Sequence, residues 1–398
     1  MTTLPRPQPV GLLPFPRSHL LASGSTEPSL GAALLGDGAA LDALLPTTVA
    51  DVCGDSPVAR YNAFVLRPSP EALAAIEATG DPALVPLVRA AAFAHGIIDD
   101  LPEPGPLEGE LRALVQMTAA AGLFERGDAR AARSLLVEAA ASAAPVSPVF
   151  AALLQKQLAE SLPAEAAPLA IEHLRRAARL AEATRRPGLR ADIWMRLGTL
   201  HQALAADGSR GPLVEAVTCY QRSLAEGITA DSQPAVFAQV QNNLGLAYLC
   251  MPTQEASDQL RTGIAVQCFR KALEVLDRGR DPDMWASVTT NLASGLQYLP
   301  TAHPADNLAE AVDLYEAVLA VRTEARDPVA HARVLLNQSN ALAHLGIFEP
   351  AVEKLTAAQA IFATHDAADE AGTAADLLAG IQAHLDEKHT SPSLPQEA

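Results

Sequence analysis

QVQNNLGLAYL (239–249), SVTTNLASGLQYL (287–299) and RVLLNQSNALAHLG (333–346) are three versions of one helix, and ADIWMRLGTLHQAL (191–204) is a fourth. With Asn243, Asn291 and Asn337 taken as equivalent and Arg196 before them, the versions stand 47, 48 and 46 residues apart. After each comes a second recurrent pattern, in which a small residue is followed at +4 by a large apolar one and at +7 usually by another small one. It reads Ala216/Tyr220/Ser223, Ala265/Phe269/Ala272, Ala311/Tyr315/Val318 and Ala351/Leu355/Ala358, and upstream Ala132/Leu136/Ala139 and Ala170/Leu174/Ala177. From Ala132 onward the anchoring alanines lie 38, 46, 49, 46 and 40 residues apart. Offsets of four and seven put all three residues on one helical face. The repeating unit is therefore helix, turn, helix. One such pair cannot bury its stripe alone, whereas stacked pairs share a continuous core.

Composition agrees. Of 398 residues, 49% are hydrophobic, 19% charged and only 4% aromatic. Packing then rests on Ala and Leu, which favour closely set helices, while the β-branched and aromatic residues that strands prefer are scarce. A formal net charge of −17 repels phosphate backbones and anionic lipid heads, so neither nucleic acid nor a membrane surface is expected as a partner. Cys53, Cys219, Cys250 and Cys268 have no CxxC spacing and fit a reducing cytoplasm. Prolines at 5, 7, 9, 14 and 16 break the apolar run a signal peptide needs, and no stretch of 18 apolar residues offers a spanning helix. A cytoplasmic protein is the expectation.

With these units in view, the chain resembles the tetratricopeptide repeat family over about residues 108–365. Two units keep the family's 12-residue distance from the small residue of the first helix to the alanine of the second, Ala120 to Ala132 and Ser339 to Ala351, with Gly127 and Gly346 at the turn. Leu158 to Ala170 keeps the count without the glycine. In the three middle units the distance is 18, 20 and 18, through ADGSRGPL (206–213), CMPTQEASDQL (250–260) and PTAHPADN (300–307), as in a bacterial long-loop variant. The resemblance implies an all-α, right-handed superhelical solenoid of about six helix pairs over 106–366, closed by a capping helix at 367–388. Residues 389–398 read as a disordered tail. Residues 1–50, rich in Pro and Gly, read as a partly ordered segment. Residues 51–105 read as a short helical cap with helices in SPEALAAIEATG (69–80) and PALVPLVRAAAFAHGIID (82–99), and LPEPGPLEGE (101–110) as a linker.

The family also implies where a partner sits. Its first helices line the concave groove, and an Asn just before the Leu-Gly pair commonly faces it, which transfers to Asn243, Asn291 and Asn337; Thr118, Lys156 and Arg196 depart from that pattern. An Asn amide both donates and accepts, so a ladder of them suits the main chain of an extended peptide. Neighbouring groove candidates are Asp192, Gln239, Asn242, Ser287, Ser294, Arg333 and Asn340. The alternative is that these asparagines stabilise turns between repeats.

Other features carry less. Between Lys156 and Arg196 eight basic residues face five acidic ones, which suits either an acidic tail docked through guanidinium forks or a solvated helix face. Cys219 and Cys268 precede Tyr220 and Phe269 and read as small packed hydrophobes; Cys53 is the thiol to test for reactivity. His384 and His389 are weak metal candidates, and no HExxH, P-loop, GxSxG or strand-linked GxGxxG occurs. The sequence therefore points to a non-enzymatic scaffold, adaptor or chaperone-like binder of a peptide or protein partner, with no cofactor and no metal. Two further functions stand beside it. NQSNALAHLGIFEPA (337–351) looks like repeat proteins accompanying bacterial [NiFe] hydrogenases, which implies an assembly or maturation accessory of a multi-subunit metalloenzyme. A regulatory sensor with a ligand-binding N-terminal region is the other.

Overall fold

A computed structural model describes residues 53–182, 184, 186–205, 208–252 and 259–390. The expected N-terminal segment 1–50 and tail residues 391–398 lie outside them. Among the described residues the chain is all-α and falls into two compact units, Met1–Leu204 with Gln221–Ile228 and Ala205–Tyr220 with Thr229–Ala398.

Three helices precede the repeats: α1 (Pro57–Leu66), α2 (Pro70–Glu77) and α3 (Leu84–Ala94). The sequence reading lacked α1. Ser56 caps it by accepting from Ala59 N at 3.1 Å, Pro57 supplies a preset φ at its first position, and it buries Ala59, Tyr61 and Phe64. Six helix pairs follow along the chain. They are α4 (Gly109–Glu125) with α5 (Ala129–Ala143), α6 (Pro148–Glu160) with α7 (Ala167–Glu182), and α8 (Pro187–Ala203) with α9 (Arg210–Ala225). Then come α10 (Pro234–Leu249) with α11 (Gln259–Leu273), α12 (Pro282–Gln297) with α13 (Pro304–Leu319), and α14 (Pro328–His344) with α15 (Phe348–Thr364). A last helix, α16 (Ala368–Thr390), packs on α15 through Ala374 and Ile381.

Every residue of the six stripes is buried, from Ala132 to Ala358. The small residue of the first helix makes room for the large one of the second. At Gly245 an added Cβ would lie 2.6 Å from the Phe269 ring, so α10 and α11 meet at backbone distance. Where the intra-pair turn is short, Gly127 takes φ +79° and the N–H groups of Gly127 and Asp128 donate back to Phe124 O and Leu123 O, ending α4 in a left-handed cap.

The long intra-pair segments differ from expectation. The second helices of the three middle pairs begin at Arg210, Gln259 and Pro304, six or seven residues before their anchoring alanines, against three in α5, α7 and α15. The inserted residues thus add about one turn to the second helix. Segment 101–110 leads from α3 into α4 and packs on the way: Leu107 is buried, Arg112 donates to Gly105 O at 3.3 Å, and a Cβ at Gly122 of α4 would lie 2.8 Å from Leu101. Among the described residues no helix is long and apolar enough to cross a membrane.

Candidate functional site

In the second unit, α10, α12 and α14 are neighbours in succession. Each starts on a proline, and Asp327 caps α14 by accepting from Ala330 N at 3.0 Å. The proline starts continue upstream at Pro148 and Pro187, a periodic signal of first helices that the sequence reading passed over. Counted from these prolines, Gln239, Ser287 and Arg333 stand at +5, Asn243, Asn291 and Asn337 at +9, and Ser294 and Asn340 at +12, steps of four and seven that keep them on one helical face.

The structure joins three of them directly. Asn291 Nδ2 donates to Asn242 Oδ1 at 2.8 Å across 49 positions of sequence, and Asn242 Nδ2 donates to Asn243 Oδ1 at 3.3 Å. Asn242 is buried, while Asn243 and Asn291 are half-buried. This short chain links consecutive repeats and leaves Asn243 Nδ2 and Asn291 Oδ1 without a hydrogen bond to any described residue. A second chain starts on α14. Asn340 Nδ2 donates to Gln297 Oε1 at 3.0 Å, Gln297 Nε2 donates to Tyr315 Oη at 2.7 Å, and Tyr315 Oη lies 2.9 Å from Ser294 Oγ. Because Ser294 spends its proton on Thr290 O at 3.0 Å, the tyrosine is the donor of that pair. Burial pushes the Tyr315 phenol up to about 12 against the opposing effect of these bonds, so it stays protonated and can hold that role. Gln297 and Tyr315 are members of this chain that the sequence reading missed; Tyr315 stood in the core stripe, and its hydroxyl gave no periodic signal.

The remaining candidates take different positions. Gln239 is exposed, and Asn337 is half-buried. Ser287 donates to Asp283 O at 2.8 Å and accepts from Arg322 at 2.6 Å. Arg333 Nε donates to Glu370 Oε1 at 3.2 Å, which holds that carboxyl below its usual range.

In the first unit the equivalent positions are charged and tied together. Lys156 Nζ lies 2.7 Å from Asp192 and 3.7 Å from Glu160, while Arg196 lies 2.6 Å from Glu160 and 3.2 Å from Asp192. Arg176 and Arg190 pair with Glu172 and Glu226 at 2.6 and 2.7 Å. Lys156, Arg176, Arg190 and Arg196 of the basic stretch are therefore engaged within the chain, Arg186 is buried, and Arg185 lies outside the described residues. Thr118 is buried and donates to Leu114 O at 3.0 Å.

Cys219 and Cys268 are buried, and burial pushes the Cys268 thiol up to about 11, which suits packing over reactivity; Cys53 is exposed. The His384 ring lies tilted against Phe348 with centroids 5.3 Å apart, while the His389 side chain lies outside the described residues. Among the described residues no group of His, Cys, Asp and Glu is placed to hold a metal ion.

No family model matches the sequence, and no curated protein matches it. Solved structures match it at low identity. A chain of the APC/C hetero-tetramer Cut9–Hcn1 is 18% identical with a TM-score of 0.45, over 84% of this chain and 57% of that one, so this chain spans little more than half its length. BtubC (BKLC) from P. vanneervenii is 19% identical with a TM-score of 0.38, over 72% and 97% of the two chains. The TPR2AB domain of yeast Sti1, from a complex with pHSP90, is 17% identical with a TM-score of 0.26, over 68% and 98%.

Proposed function

We propose that the chain is a non-enzymatic interaction scaffold that holds a peptide or protein partner against the face of α10, α12 and α14. The observation that carries this reading is the Asn243–Asn242–Asn291 chain, which aligns amides of successive repeats and leaves a donor at one end and an acceptor at the other. A main chain offers the complementary pair at every residue. The same bonds also serve the turn-stabilising alternative, and the two differ in outcome. Changing Asn243, Asn291 and Asn337 together to Ala should remove captured partners while the melting curve moves little, since of the three only Asn291 bonds across repeats, through its single bond to Asn242. Unchanged capture with unchanged folding rules the face out. An accessory role beside a multi-subunit metalloenzyme is one form of this same reading, in which the captured partner is an enzyme subunit.

A further inference from the structure

The first helices of the second unit are almost without charge. α10 has no acidic or basic residue, α12 has Asp283 and α14 has Arg333, alongside the histidines His331 and His344. At the chain's average charged content of 19%, about nine charged residues would be expected over the three helices. Both charges present are already engaged: Asp283 accepts from Arg326 at 2.9 Å, and Arg333 holds Glu370. Toward the shared face the helices present amides and hydroxyls, from Gln239, Asn243, Ser287, Asn291, Asn337 and Asn340. By contrast, the first helices of the first unit carry Glu110, Arg112, Glu125, Lys156, Glu160, Arg190, Asp192 and Arg196. Charge is thus sorted between the two sets of first helices, although the repeat requires no such sorting for packing.

From this we infer that the segment held against α10, α12 and α14 is an uncharged, extended polar stretch, recognised by hydrogen bonds and not by ion pairing; the inference rests on the binding face proposed above. A carboxylate or ammonium pressed onto this face would lose water and meet only charges already engaged, Arg333 with Glu370, Arg326 with Asp283 and Arg322 with Ser287, and an unpaired charge is the costliest group to desolvate. A neutral amide or hydroxyl loses less and finds Asn243 Nδ2 and Asn291 Oδ1 open to it. Steering by long-range field is then absent from this encounter, so added salt leaves it unaltered.

The test is selection of a random 12-residue peptide library, displayed with both ends blocked from the face, against the full chain, with the Asn243→Ala/Asn291→Ala/Asn337→Ala chain as counter-selection. Selected peptides are then resynthesised with capped ends and titrated by fluorescence polarisation in 50 and 500 mM NaCl. The expected result is enrichment of sequences without Asp, Glu, Lys or Arg in the core of the motif, and affinities that change less than twofold with salt. Enrichment of acidic or basic motifs, or a tenfold weakening in high salt, overturns the neutral-partner inference while leaving the face intact. Failure to enrich any peptide over the counter-selected chain overturns the binding face and this inference together.

Discussion

Gly245→Ala tests the packing on which the paired helices depend. The new Cβ would stand 2.6, 2.8 and 3.0 Å from three atoms of the Phe269 ring. That ring is fully buried, so it has little room to retreat. Overpacking of this kind costs about 1–3 kcal/mol. Better helix propensity offsets it by about 1 kcal/mol. With ring atoms closer than any ordinary Cβ contact, the cost falls at the upper end, for a net loss of about 2 kcal/mol. Gly380→Ala in α16, where an added Cβ meets nothing within 4 Å, should instead stabilise by about 1 kcal/mol, which isolates the propensity effect. Urea unfolding followed by circular dichroism, with amide exchange read separately over α10–α11, measures both. A Gly245→Ala chain as stable as Gly380→Ala would refute the close approach of α10 and α11.

Three other outcomes are expected. Asp192→Ala leaves the Lys156 ammonium, whose side chain is only 9% exposed, with Glu160 at 3.7 Å as its remaining partner, and should destabilise by about 3 kcal/mol; Lys156→Met in that background should recover most of the loss, as urea melts would show. His173 is buried against Gln155 at 2.8 Å, and burial first, then Arg176, hold its pKa below the usual 6.5. The folded chain therefore takes up this proton later than the unfolded one, so its share of stability is full above about pH 6.5 and is lost as pH falls toward the depressed folded value; an NMR titration midpoint at or above 6.5 would contradict this. Tyr315→Phe leaves Gln297 Nε2 and Ser294 without their shared partner and should cost about 1–2 kcal/mol in urea melts.

Much of the fold was legible in the sequence because burial leaves a period. Ala132, Leu136 and their counterparts recur at the spacing of one helical face, and all are buried. Helix α1 was missed although Ser56 and Pro57 mark its start as Ser69 and Pro70 mark that of α2, because these signals are local and carry no period. The extra residues before Ala216, Ala265 and Ala311 read as loop through their Pro, Gly and Asp. Proline and acidic residues also suit the first turn of a helix, as Pro304 and Asp306 do in α13. The site was legible only in part. Asn243 and Asn291 were singled out by register, with Asn242 and Asn340 beside them, but the bonds that join these amides, and the members Gln297 and Tyr315, depend on which side chains meet across repeats, which no linear spacing encodes. Likewise the basic stretch from Lys156 to Arg196 looked available in sequence, and the carboxylates that engage it come from other helices or other turns, such as Asp192 for Lys156 and Glu226 for Arg190.

The most direct measurement of the binding face is site-specific photo-crosslinking, with a benzophenone side chain placed at exposed Gln239 on α10 or at exposed Asp313 on α13. The account predicts a partner adduct from Gln239, abolished by Asn243→Ala/Asn291→Ala/Asn337→Ala, and none from Asp313. An adduct from Asp313 alone, or one from Gln239 that survives the triple change, would contradict it.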